Sequence, residues 1–272
     1  MNSRTIFFIN KKAENISAHQ RLIRASRHAI MPYLPPKATF PSAQQIIHFE
    51  GKNGPDGLAS KHAVSDAPSD FINPKKLNGP LFNEIKDHIY NAHIAVKRQN
   101  DIRLNFELAW LSHLVIDGLT PAHHQPLKEQ LKTIDSRTEE EVNSRIKRVV
   151  YTSSDPIEAL VNNWKRLGPR GIGTNHVTFE TGIDFLIMPL TPRYLAGKIT
   201  VTTAQLKKVK SGHFLDLYKK AILKIDSANL FERYEQSSWT TNLATDIREL
   251  LIPTAIHMVV LAWLAAIYKG KA

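Results

Sequence analysis

Residues 109–124, Ala-Trp-Leu-Ser-His-Leu-Val-Ile-Asp-Gly-Leu-Thr-Pro-Ala-His-His, set polar side chains into an otherwise apolar run. On a helix His113 and Asp117 lie one turn apart on one face, a spacing that lets an imidazole and a carboxylate grip one metal ion. Gly118 and Pro121 end or kink that helix and return His123 and His124 toward the same cavity, where a second metal would fit. A second pair of the same kind, His176 and Glu180, follows four residues apart, with Phe179 and Ile183 as apolar companions. A lone histidine on an apolar face is more often a core residue bonded to a carbonyl. Two His-xxx-carboxylate pairs beside a His-His step point instead to a shared metal cluster. A buried Asp117 needs a partner, because an unpaired desolvated carboxylate costs roughly several kcal/mol, and a cation is the economical one.

The elements that must carry these residues read as helices. Residues 16–34 form a first helix, with Ser17 as N-cap, Pro35-Pro36 as the stop, His19 in the first turn and His28 further on. Residues 43–49 are a short apolar segment with His48. Residues 50–80 lack hydrophobic periodicity and are rich in Gly, Pro, Asn, Asp and Ser. A loop of that length in a compact domain that also carries Asp56, His62, Asp66 and Asp70 reads as functional. Residues 81–96 are amphipathic, with His88 and His93 alongside, and 102–117 form the central helix. Residues 128–150 read as a charged, solvated helix and 156–167 as another. The glycines of 168–173 lack a preceding strand and a following Lys-Ser/Thr, so they do not make a nucleotide-phosphate loop. Residues 207–224 and 227–253 read as further helices, 199–203 as a short extended piece, and His213, among lysines, as a surface residue. The expected fold is all-α: a single-domain multi-helix bundle over residues 1–272 with one long ligand-bearing loop. Metal ligands are expected within 15–185, and 186–272 complete the helical core.

The totals narrow the chemistry. The 272 residues contain no cysteine, so disulfides and thiolate metal sites are excluded and any zinc must be held by His, Asp and Glu. A formal net charge of +11 attracts anions: nucleic acid, anionic lipid or phosphorylated small molecules. The first residues contain only four consecutive apolar side chains, Ile6 to Ile9, too short for a signal-peptide core, so a cytoplasmic location is the default expectation. Residues 250–268 carry no Asp, Glu, Lys or Arg and approach membrane-spanning length, but Pro253, Thr254 and His257 favour a buried core helix.

The phrase His113-xxx-Asp117-xxx-Pro121-x-His123 resembles the signature of the zinc-dependent bacterial phospholipases C and their relatives, the fungal single-strand nucleases. His176-Val177-Thr178-Phe179-Glu180 is similar to the phospholipase branch, where His and Glu complete a zinc site; the nuclease branch tends to have Asp. The resemblance covers about residues 15–185 and implies a helical domain holding two to three Zn2+ ions in a cleft. By it, His123, His176 and Glu180 form one zinc site, and His113 and Asp117 belong to a second, with Asp117 bridging to a third. The family's upstream phrases match at Gly54-Pro55-Asp56-Gly57 and Ser69-Asp70-Phe71-Ile72-Asn73-Pro74. Asp70 stands where the family has His; oxygen can replace imidazole on zinc, or His62 or His48 fills the position. His19 resembles the early-helix His of the bridging zinc, which family members complete with the amine of a mature N-terminal Trp; no Trp precedes His19 here.

The expected activity is zinc-dependent hydrolysis of phosphodiester bonds, phospholipase C-like, with Asp56 either a ligand or a general base acting through water. The substrate would be a phospholipid head group, with an anionic membrane surface as a further partner. Single-stranded nucleic acid is the alternative, and no specific protein partner is expected. A metal-stabilised, non-enzymatic binding protein is the third reading.

Overall fold

The structure, a computed structural model, describes residues 17–36, 39–50, 54–55, 71–124, 151, 153 and 155–268. Among the described residues every regular element is helical, and the fold is all-α. The expectations placed on Asp56, His62, Asp66 and Asp70 and on the helix at 128–150 lie outside the described residues.

Helix α1, Ala18–Ile30, starts where Ser17 accepts a hydrogen bond from the Gln20 amide and buries Leu22, Ile23, Ala25 and Ile30. Helix α2, Ala43–Ile47, opens on a reciprocal capping box between Ser42 and Gln45 and ends in a turn that delivers Glu50. The long pair α3, Pro80–Lys97, and α4, Asp101–Asp117, forms a hairpin whose return is capped by Asn100 on the Arg103 amide. From Leu104 to Asp117 only Phe106 in α4 is not fully buried, so the helix has covered faces all round and no clean amphipathic stripe. A 3-10 turn, Pro121–His124, follows.

Beyond it come α5, Pro156–Leu167, and α6, Ile172–Ile187. The short α7, Pro192–Gly197, leads to α8, Thr203–Lys210, and α9, Phe214–Asp226. The sequence pattern predicts one helix over 207–224. It is broken at Ser211-Gly212-His213, where Gly212 takes φ +81°, a conformation glycine reaches without strain. Residues 227–253 likewise divide, into α10, Leu230–Ser237, and α11, Thr241–Asp246, because Thr240 caps a new start on the Leu243 amide.

A wide π turn over Ile247–Leu251 precedes α12, Ile252–Tyr268, and relieves the missing amide and ring clash of Pro253. The stretch 241–268 is long and apolar enough to cross a membrane by composition. Yet 72% of its most apolar window is buried inside the protein, and α1, α3, α4, α8 and α9 pack on its sides. It is the helix around which the others assemble. Trp263 at its centre donates to the Leu108 carbonyl (3.2 Å) and the Ser112 hydroxyl (3.0 Å), joining it to α4, and Ser26 of α1 reaches the Ile256 carbonyl. Nearly all of the buried apolar residues form one connected cluster.

Candidate metal centre

Three helix termini and one turn converge on Asp117. It ends α4, and Gly118 follows because a Cβ there would run into the Tyr218 hydroxyl and Leu81. Thr120 ties the turn down, its hydroxyl donating to the Ile116 carbonyl (3.0 Å). The 3-10 turn then carries His123 back over the helix end. His124 turns away: its Nε2 lies 3.0 Å from the Gly118 carbonyl and its Nδ1 3.6 Å from Asp226. Only one member of the expected His-His pair therefore reaches the cluster, since adjacent residues on a tight turn point in different directions.

The first trio is His19, His113 and Asp117, with ligand atoms all within 4.8 Å of one another. His19 Nε2 is 3.0 Å from one Asp117 oxygen and His113 Nε2 3.0 Å from the other. The opposite nitrogens of both rings meet a single atom: Glu50 Oε1 lies 3.1 Å from His113 Nδ1 and 3.5 Å from His19 Nδ1. Glu50 is fully enclosed, and its second oxygen has no partner among the described residues. Sequence reasoning missed it, because a glutamate at the mouth of a loop carries no periodic or spacing signal.

The second trio is His123, His176 and Glu180. Both imidazoles face one carboxylate oxygen, at 2.9 Å for His123 Nε2 and 3.1 Å for His176 Nε2. Helix α6 sets His176 and Glu180 one turn apart. Its orientation is held by Phe179, which packs among Phe231, Tyr234 and Trp239. Gly182 lets the Trp239 indole lie against the helix, where any Cβ would collide with the ring. Asp184, one turn past Glu180, is also half-buried and faces the start of α1. The trios adjoin, for His123 Nε2 is 3.9 Å from Asp117. The structure thus brings together His19, His113, Asp117, His123, His176 and Glu180, all expected from sequence, and adds Glu50.

Four further described histidines lie outside the cluster. His93 Nδ1 lies 3.2 Å from the Ala266 carbonyl inside the core. His88 pairs with the buried Glu107, which Arg103 also meets. His48 is exposed, edge-on to Phe49, and His213 pairs with Asp216 at the surface.

The electrostatics are those of a cation site. Burial alone would depress the His19 imidazole, but the Asp117 charge and hydrogen bonds to Asp117 and Glu50 raise it to about 10. His113 is driven well above its ordinary value by the same two carboxylates against burial. Burial pushes Glu50 up and the facing imidazoles outweigh it, holding its carboxyl at about 2; Asp117 and Glu180 are held low in the same way. The donor set fits a divalent ion such as zinc: two imidazole nitrogens and a carboxylate in each trio, with the outer nitrogens of the first trio already bonded to a buried carboxylate.

The signs set an expectation for metal-free protein. Glu50, depressed from 4.5 to about 2, contributes stability present above 4.5 and lost as pH falls toward 2. His19, raised from 6.5 to about 10, contributes stability present below 6.5 and lost as pH rises toward 10. The Tm of chelator-treated protein should be highest between these windows and fall on both sides. A Tm flat through both windows would contradict the ion-paired cluster.

Fold and clusters together define an all-α protein with two adjoining His–carboxylate trios of metal-binding composition. No family model matches the chain, and no curated protein or solved structure matches it significantly.

Proposed function

We propose that this protein is a divalent-metal-dependent phosphodiester hydrolase, with zinc as its metal and phospholipase C-like chemistry. The observation that supports it is the meeting of two His–carboxylate trios at Asp117. His19, His113 and Asp117 would hold one ion and His123, His176 and Glu180 another, and the two carboxylate oxygens of Asp117 face different imidazoles. Bound divalent ions supply Lewis-acid activation of water and offset charge on the phosphoryl group. The protein's own part is to fix the donors. Glu50 holds the Nδ1 protons of His113 and His19, so that both Nε2 atoms are presented toward Asp117. The aromatic cluster behind α6 keeps His176 and Glu180 on the same side. The net positive charge of the chain favours an anionic substrate.

The discriminating experiment measures zinc content and turnover together. Protein loaded with zinc and freed of excess should retain at least one ion per chain and hydrolyse a choline phospholipid faster than single-stranded DNA of equal phosphate concentration. The reverse preference would transfer the proposal to the nuclease branch. Zinc retention without turnover of either substrate would leave a metal-stabilised binding protein, and absence of retained zinc would overturn the metal reading itself.

A further inference from the structure

Helix α5 is built inside out. Its apolar side chains Ile157, Leu160, Val161, Trp164 and Leu167 recur at one-turn spacing and make a continuous stripe, the pattern that ordinarily faces a core. Here that stripe faces outward: the five side chains are 39–73% exposed, with Ile157, Leu160 and Trp164 at 73%, 68% and 65%. The opposite face carries Ala159, Asn162, Asn163 and Arg166, and Arg166 is the buried residue of the helix.

This orientation is fastened by polar contacts. The Asn163 amide accepts from the Tyr151 amide (2.7 Å) and donates to the Tyr151 and Ala159 carbonyls (2.8 Å each). Tyr151 donates its hydroxyl to Glu158 (2.8 Å), Ser153 does the same (2.6 Å), and the Arg166 guanidinium lies over the Tyr151 ring. Rolling the stripe inward would break the bonds to Tyr151 and Ser153. At its C-terminal end, Trp164 and the cations Lys165 and Arg170 line a shallow cavity of about 380 Å³.

We propose that α5 is a membrane-contact helix that lays its apolar stripe on an anionic phospholipid surface. The stripe runs over about ten residues of rise, roughly 15 Å, and is one helix face wide. That area is far below the ~800 Å² per partner that a stable protein interface buries, so neither a second copy nor a folded partner is matched by it alone. It suits the interfacial layer of a bilayer, which takes a helix lying flat with its apolar side inward and its Trp and cations at the head groups. The net charge of +11 supplies the longer-range attraction to anionic lipid. The inference does not depend on the metal centre, since adhesion requires no metal.

The test uses the full chain in EDTA, with vesicles of phosphatidylcholine alone or mixed with phosphatidylglycerol. The protein should sediment with the mixed vesicles, and brominated lipid should quench Trp164, read as the difference from a Trp164→Phe variant. Leu160→Glu combined with Trp164→Glu should weaken binding more than ~10-fold, two apolar anchors being replaced by charges. Its Tm should be unchanged, because both side chains are exposed. Lys165→Ala with Arg170→Ala should weaken binding in a salt-sensitive manner. Four results would overturn the proposal: no binding to mixed vesicles, equal binding by the Glu variant, Trp164 shielded from aqueous quencher before lipid is added, or a dimer that the Glu variant dissolves.

Discussion

Replacing His113 and His176 together with Ala is expected to eliminate zinc retention and phosphodiester hydrolysis. Each substitution removes one of the nitrogen donors in its trio, leaving His19 with Asp117 and His123 with Glu180. A catalytic zinc site needs about three protein ligands. Two should therefore lower affinity well past the ~100-fold that the loss of an outer partner produces. The single variants should differ in stability. His113→Ala strips from Glu50 and Asp117, both enclosed, one of the two imidazoles they share, and breaking such a buried pair costs about 3 kcal/mol or more. His176→Ala leaves His123 against a Glu180 that keeps contact with solvent, so its Tm should fall less. Zinc analysis, circular dichroism and turnover on the same preparations separate loss of ligand from loss of fold. Unchanged turnover in a folded double variant would end the hydrolase proposal.

Glu50→Gln is the second large effect, and it tests a different statement. The Glu50 carboxylate touches both rings of the first trio on the side away from Asp117. The amide is nearly the same shape but lacks the charge that favours each Nδ1 proton. Zinc affinity, measured by competition with a chromophoric chelator, should fall by about 10–100-fold. Turnover should recover as zinc is raised to saturation, since the donors remain. Failure to recover at saturating zinc would make Glu50 itself a ligand, and unchanged affinity would reduce it to a packing residue.

Much of this arrangement was legible from residue spacing. His113 with Asp117 and His176 with Glu180 follow from the helical repeat, and the Ser17 cap and Pro156 mark helix starts that the structure keeps. What brings the two pairs together is tertiary: α1 and α6 meet at the end of α4, and no local pattern encodes that meeting. Glu50 was invisible for the same reason. The break at Gly212 was missed because an isolated glycine inside a helical pattern is a weak stop signal. His124 shows the limit of composition, for its place beside His123 in sequence sends it to a backbone carbonyl instead. For α5 the sequence reading gave a helix but not which way its apolar stripe faces, because direction depends on what Tyr151 and Ser153 offer to the polar face.

Helix α12 lies at the far end of the described chain and yet packs against and supports α1, α3 and α4, with Tyr268 bonded to the carbonyl of Tyr33. During synthesis, a nascent polypeptide that has emerged only as far as α11 has every imidazole of both trios but no scaffold to gather them. Ion capture should therefore wait until α12 has been synthesised, and it should lag the appearance of that helix by the time this sequence-distant packing takes to form.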